Sequence, residues 1–157
     1  MILSGVIFED FVNYKKPSMT LMFPYCTMKC NTESGQSICQ NQELLGGQTI
    51  DINIQSLLDR YYDNPITEAI VMQGMEPLDS WQDVKQLITV FRSQSDDDVV
   101  IYTGYNKEEI EDKLEEIKAY KNIIIKFGRY LPNEDKHFDP VLGIYLASDN
   151  QFAERIL

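Results

Sequence analysis

Four short apolar runs, each closed by a glycine or proline, constrain this chain more than any other feature. They are residues 18–23 before Pro24, 68–73 before Gly74, 99–103 before Gly104, and 122–126 shortly before Gly128. Runs of this length and richness in Val, Ile, Leu and Met read as buried-type strands. Helical spacing fills the gaps between them. Asp51 or Asn53 is placed to cap a helix with Ile54, Leu57, Leu58, Tyr61 and Tyr62 inward, stopped by Asn64-Pro65. Asp79 or Ser80 precedes a helix with Trp81, Val84, Leu87, Ile88 and Phe91 on one face, and Asn106 one with Ile110, Leu114 and Ile117. Strands alternating with amphipathic helices predict an α/β fold with a mostly parallel sheet and right-handed crossovers. Residues 2–8 read as a further strand. Residues 141–146 read as a last one, followed by a polar turn and a stub of helix. The 157 residues suit a single domain spanning 1–157, and fall short of the roughly 250 of a full eight-fold barrel.

All three cysteines, Cys26, Cys30 and Cys39, lie on the polar loop after the second run, in the spacing C-x3-C-x8-C. An α/β pattern with an odd cysteine count argues against a disulfide framework, and three thiolates on one loop point to a metal centre. Three ligands leave one coordination position open for chemistry. The alternative is a structural zinc site with His137 as a fourth ligand. The formal net charge of −11 argues against nucleic acid and anionic membrane surfaces as partners. No run reaches the roughly 18 apolar residues of a membrane helix, and no export signal precedes the first strand, which predicts a cytoplasmic protein.

Ligands of parallel sheets bind beyond the carboxyl ends of the strands. The cysteine loop, Gly74-Met75-Glu76-Pro77, Thr103-Gly104-Tyr105 and Phe127-Gly128-Arg129 all fall at that edge. Glu76, between a glycine and a proline at a strand exit, reads as a fixed carboxylate placed to bind an ammonium group. Lys126 and Arg129 read as paired surface charges, the alternative being contact with a carboxylate or a partner. Trp81 and the tyrosines read as core and surface fillers, and Glu108-Glu109 and Glu115-Glu116 as a solvated helix face steadied by nearby lysines.

These residues resemble the radical S-adenosylmethionine enzymes, most closely the activating proteins of anaerobic ribonucleotide reductases. Cys26-x3-Cys30 and Cys39-Gln40-Asn41 match parts of that family's cysteine motif. Gly74-Met75-Glu76-Pro77 resembles its Gly-Gly-Glu-Pro turn, Thr103-Gly104-Tyr105 its Thr-Gly-Tyr, and Ser148-Asp149-Asn150-Gln151 its Ser-x-Asn-Gln ending. The likeness runs from about residue 14 to 155. The chain departs from the pattern in the longer second cysteine gap, in Met75 where the family has glycine, and in Phe127-Gly128-Arg129 where it often has Asp-Gly-Pro.

The resemblance implies a small incomplete (β/α) barrel with a curved, mostly parallel sheet, of the radical S-adenosylmethionine core type. It implies a [4Fe–4S] cluster on Cys26, Cys30 and Cys39, with S-adenosyl-L-methionine chelated by the fourth iron. Gly74, Met75, Glu76, Pro77, Thr103 and Gly104 would contact that cofactor, Glu76 through the methionyl ammonium. No catalytic side chain is expected beyond the cluster and cofactor. The implied reaction is hydrogen abstraction from a glycine of anaerobic ribonucleoside-triphosphate reductase, leaving a glycyl radical. The implied partners are that reductase's large subunit and a reductant such as flavodoxin, with the chain in a homodimer or hetero-complex. Residues 31–38 of the lengthened loop are a candidate docking surface. Two alternatives remain: another radical enzyme of this core, whether a different glycyl-radical activase or one like the deazaguanine synthases, and a non-catalytic zinc-stabilised adaptor.

Overall fold

The computed structural model describes residues 1–26 and 47–157. Its central element is a six-stranded sheet in the order β2-β3-β5-β6-β7-β10. The strands are β2 (Gly5–Asp10), β3 (Ser18–Phe23), β5 (Ala69–Gly74), β6 (Asp98–Tyr102), β7 (Ile123–Phe127) and β10 (Phe152–Arg155). The middle four run parallel, and β2 and β10 lie antiparallel on the two edges. The described fold is thus mixed α/β with a mostly parallel central sheet, open at both edges. Two small antiparallel pairs accompany it, β1 (Ile2–Leu3) with β4 (Ile50–Asp51), and β8 (His137–Asp139) with β9 (Ile144–Leu146).

The parallel strands advance across the sheet in chain order. Right-handed crossovers that always step in one direction put every connecting helix on the same face. The core bears this out. Helices α1 (Ile54–Asp63), α2 (Trp81–Arg92) and α3 (Glu111–Ile117) contribute Leu57, Leu58, Tyr61, Val84, Leu87, Ile88, Phe91, Leu114 and Ile117 to one apolar cluster. The sheet contributes alternate residues: Met19, Leu21 and Phe23, Ile70 and Met72, Val99 and Ile101, Ile123, Ile125 and Phe127. Each such side chain, fully buried, contributes about 1.5–3 kcal/mol.

The opposite face has no helix among the described residues. A second cluster, including Tyr14, Val71, Val100, Ile124, Leu142 and Leu146, covers its middle. Its amino-terminal end is sealed by buried Asp98, which accepts from Tyr14 Oη at 2.7 Å and pairs with Lys16 at 2.9 Å and Arg155 at 3.2 Å. Burial pushes the Asp98 carboxyl upward, but the bonds from Lys16, Tyr14 and Arg155 outweigh it and hold the group below the usual range. The carboxyl-terminal end of this face is where a cleft opens.

Several expectations need correction. The first strand is broken at Ser4 into β1, which pairs with β4, and β2, which pairs with β3; Ser4 N–H donates to Met22 O of β3. Of the two caps expected for the first helix, Asn53 is the one used: its Oδ1 accepts from Ser56 N–H at 3.0 Å. Asn106 opens a 3-10 turn, Lys107–Glu109, before α3 begins. The run at 141–146 is a strand only over Ile144–Leu146 and pairs with β8 outside the main sheet. The expected terminal helix stub is β10, whose four residues pair with β7 from Phe152↔Phe127 to Arg155↔Ile124.

Candidate functional site

Residue alternation places a polar row across the open face where the parallel strands end. Gln73 is paired with Met22, and Tyr102 with Lys126. Gln73 Nε2 lies 3.8 Å from Met22 Sδ, and Lys126 Nζ lies 5.9 Å from the centroid of the Tyr102 ring. This row floors a cleft of about 350 Å³, lined also by Asn13, Cys26, Gly74, Met75, Glu76, Thr103, Gly104, Tyr105, Gly128 and Arg129. The β9 segment Ile144–Leu146 with Ala147, together with Tyr130 and Gln151, forms one wall. The volume falls at the lower end of that of small-molecule and cofactor sites.

The structure thus brings five of the six expected cofactor contacts to one cavity, together with Cys26. Pro77 is buried just behind, at the first position of a 3-10 turn, Pro77–Ser80. Cys30 and Cys39, and the candidate docking residues 31–38, lie outside the described residues. Cys26 is half-buried and follows directly on the strand exit. That exit is tied to the glutamate turn by two backbone bonds: Met75 N–H donates to Phe23 O at 2.9 Å and Glu76 N–H to Tyr25 O at 2.8 Å. Gly74 makes this pairing possible. Its φ is +98°, and a Cβ there would meet Phe23 N at 2.6 Å. The glycine is therefore needed for strand-to-strand approach, a nearer demand than the expected approach to a ligand.

Glu76 is 5% exposed and is gripped from two sides. Its Oε1 accepts from Leu78 N–H at 3.1 Å, capping the 3-10 turn, and its Oε2 accepts from Gly104 N–H at 2.8 Å. The carboxylate thus bridges the exits of β5 and β6. Burial raises its pKa to about 7, against the lowering effect of the bonds from Gly104, Leu78 and Thr103. A cationic group in the cleft would favour the ionised form. Beside it, Tyr105 Oη donates to Asp79 Oδ1 at 2.6 Å, and Tyr105 N–H to Thr103 Oγ1 at 3.0 Å.

Lys126 and Arg129 are not surface charges; both are 7% exposed and line the cleft. Lys126 Nζ donates to Gly128 O at 2.9 Å and Thr103 O at 3.4 Å, while Arg129 pairs with Glu109 at 2.6 Å. Tyr102, whose Oη donates to Asn13 O at 2.5 Å, is likewise a lining residue rather than a filler. Glu115 and Glu116 of α3 do face solvent with lysine partners, Lys118 and Lys85, each at 2.7 Å, whereas Glu108 and Glu109 lie in the 3-10 turn before α3 and Glu109 is the partner of Arg129. His137, the residue considered as a zinc ligand, lies within hydrogen-bond distance of Gln151 O, at 2.6 Å from Nε2, and is not among the residues lining the cleft with Cys26.

A family model described as "4Fe-4S single cluster domain" matches residues 17–144, which run from β3 to the first residue of β9 and include all three cysteines. The chain belongs to the 4Fe-4S single cluster domain family. Comparison with curated proteins and with solved structures gave no match. Membership in the 4Fe-4S single cluster domain family makes this an iron–sulfur, metal-binding protein. Its residues suit that cofactor. Thiolates are the donors that iron–sulfur clusters take, and Cys26 stands on the rim of a preformed cleft. Among the described residues no three His, Cys, Asp or Glu side chains gather into another metal site. Among them, too, no helix is long and apolar enough to cross a membrane.

Proposed function

We propose that this iron–sulfur protein is a radical S-adenosylmethionine enzyme that installs a glycyl radical on an anaerobic ribonucleoside-triphosphate reductase. The observation that carries the reading is one of assembly. Cys26, Gly74, Met75, Glu76, Thr103 and Gly104, separate in sequence, line one cleft at the carboxyl ends of parallel strands. They do so in a chain of a 4Fe-4S family. Cys26, Cys30 and Cys39 would hold the cluster. When bound and reduced, it would supply the electron for reductive cleavage of S-adenosylmethionine, the chemistry needed to remove a hydrogen atom from a glycine Cα of the partner. The chain's own residues position and enclose. Glu76, fixed by Leu78 and Gly104, would accept a hydrogen bond from the methionyl ammonium, a charge-assisted contact. The Thr103–Gly104 turn borders the same group, and Pro77 stiffens the glutamate turn from behind. Tyr145 of the cleft wall is 69% exposed, and the partner's loop would enter beside it. The reductase large subunit is the partner this reading requires, and a flavodoxin-like protein its electron source.

The test is anaerobic reconstitution with iron and sulfide, reduction, and electron paramagnetic resonance with and without S-adenosylmethionine. The expected result is a [4Fe–4S]⁺ signal that changes on adding the cofactor, with 5′-deoxyadenosine as product. A cluster whose signal ignores S-adenosylmethionine would overturn the reading and leave an iron–sulfur protein of other chemistry.

A further inference from the structure

Strands β7 and β10 are cross-strand neighbours, with Phe127 opposite Phe152. Residues 128–151 between them leave the sheet, form the β8–β9 pair, and return. The neck of this excursion is closed by side chains reading backbone. Gln151 Nε2 donates to Gly128 O at 3.2 Å, Asn150 Nδ2 donates to Arg129 O at 2.8 Å, and Leu131 N–H donates to Ser148 Oγ at 3.3 Å. The returning turn braces itself: Ser148 N–H donates to Gln151 Oε1 and Gln151 N–H to Ser148 O, both at 3.1 Å. Ser148 and Gln151 are buried. Gly128 has φ +101°, and a Cβ there would lie 3.2 Å from Asn150 O.

The Gly128 carbonyl has a second use, because it also accepts from Lys126 Nζ at 2.9 Å. One oxygen therefore joins Gln151 to the ammonium on the cleft floor. We propose that Asn150 and Gln151 are positioning residues of the cleft: they fix the Gly128–Arg129 wall and, through the shared Gly128 carbonyl, the place of the Lys126 ammonium. The segment holding them lies beyond the matched residues 17–144, so the family match does not speak to it. The ligand-binding consequence rests on the proposed S-adenosylmethionine reading; the clamp itself does not. Losing the Gln151 donor removes one of the bonds that hold the turn, whose Gly128 N–H still donates to Tyr105 O at 3.2 Å, and so loosens the shared carbonyl that Lys126 Nζ uses besides Thr103 O. Gln151 lines the cleft wall as well as fixing its neighbours, so its loss should act on ligand affinity.

Two variants test this without emptying the core. Gln151→Glu keeps the acceptor for Ser148 N–H but removes the donor to Gly128 O. Asn150→Ala truncates an exposed residue. In the metal-free proteins, hydrogen exchange at residues 128–131 should rise while β5 and β6 stay protected. In the reconstituted proteins, cluster content should match wild type, and the S-adenosylmethionine dissociation constant, followed by electron paramagnetic resonance, should rise about tenfold, the size expected for one charge-linked hydrogen bond. Unchanged affinity in both variants, with a wild type that does bind S-adenosylmethionine, would overturn the proposal. A wild type that ignores S-adenosylmethionine would instead overturn the functional reading. The exchange measurement then decides the clamp: unaltered protection at 128–131 overturns it and raised exchange supports it.

Discussion

A carboxylate that is 5% exposed and held by two backbone N–H groups is an expensive thing to ionise, and Glu76 shows the cost in a pKa of about 7. The consequence for stability has a definite sign. The folded state holds the Glu76 proton more tightly than the unfolded chain, whose pKa is near 4.5. Its stabilising contribution is full below 4.5 and is lost as pH rises to about 7. Glu76→Gln should remove this dependence. The stability difference between wild type and variant, from urea unfolding of the metal-free protein, should shift against wild type by at most about 1.4 kcal/mol per pH unit in that window. A flat difference would place the titration elsewhere. The two glycines flanking Glu76 in space make a second contrast. Alanine at Gly74 would meet the Phe23 backbone at 2.6 Å with φ at +98°, costing about 1–3 kcal/mol. At Gly104 a Cβ finds only ordinary contacts, Arg129 Cγ at 3.6 Å and Glu76 Oε2 at 3.7 Å. Gly104→Ala should fold with near-normal stability yet intrude on the cleft, so its thermal midpoint should hold while the S-adenosylmethionine response weakens.

Elements were legible in proportion to how local their causes are. Helix α1 was announced by its 3–4 spacing and its stop at Asn64, and Asn53→Ala should cost it about 1 kcal/mol in thermal or urea unfolding through loss of the cap. The four parallel strands were legible because both faces of each are largely apolar, which needs no knowledge of the partner strand. Strand β10 was not. Phe152–Arg155 is short, buries only Ala153, and becomes a strand only by pairing with β7, a contact no local pattern encodes. Of the site, the glycine and proline turns stood out as punctuation, and so did the cysteines. The polar floor did not, although a signal was present. Gln73, Tyr102 and Lys126 each stand at or beside the carboxyl end of a run otherwise apolar, on the face that alternation assigns away from the helices. A lysine between Ile125 and Phe127, both fully buried, is a cleft residue by that rule. Reading it as a surface charge weighed residue type above position.

Across the whole molecule, a strand order that advances without reversal puts the helices on one face and leaves the other free for chemistry. The same topology joins the segment leading to Cys26 mechanically to the sheet. Tyr25, the residue before Cys26, accepts from Glu76 N–H, and Phe23 accepts from Met75 N–H. Any group that fixes Cys26 therefore also fixes the exits of β3 and β5, and through Glu76 that of β6. Cluster binding to the folded state alone must then stabilise it by linkage. Anaerobic loading should raise the thermal midpoint and slow exchange of the Met75, Glu76 and Gly104 amides, while the distant Asp98 cluster at the opposite end of the sheet gains little. Cys26→Ala should abolish both effects and the cluster's visible absorption, with the metal-free fold intact because Cys26 is only half-buried. If loading protected the whole sheet evenly, the cluster would be acting on global stability alone. Protection confined to the three strand exits would mean that the loop, the glutamate turn and the Gly104 turn respond as one unit, which is what a cleft assembled from separate strand ends requires.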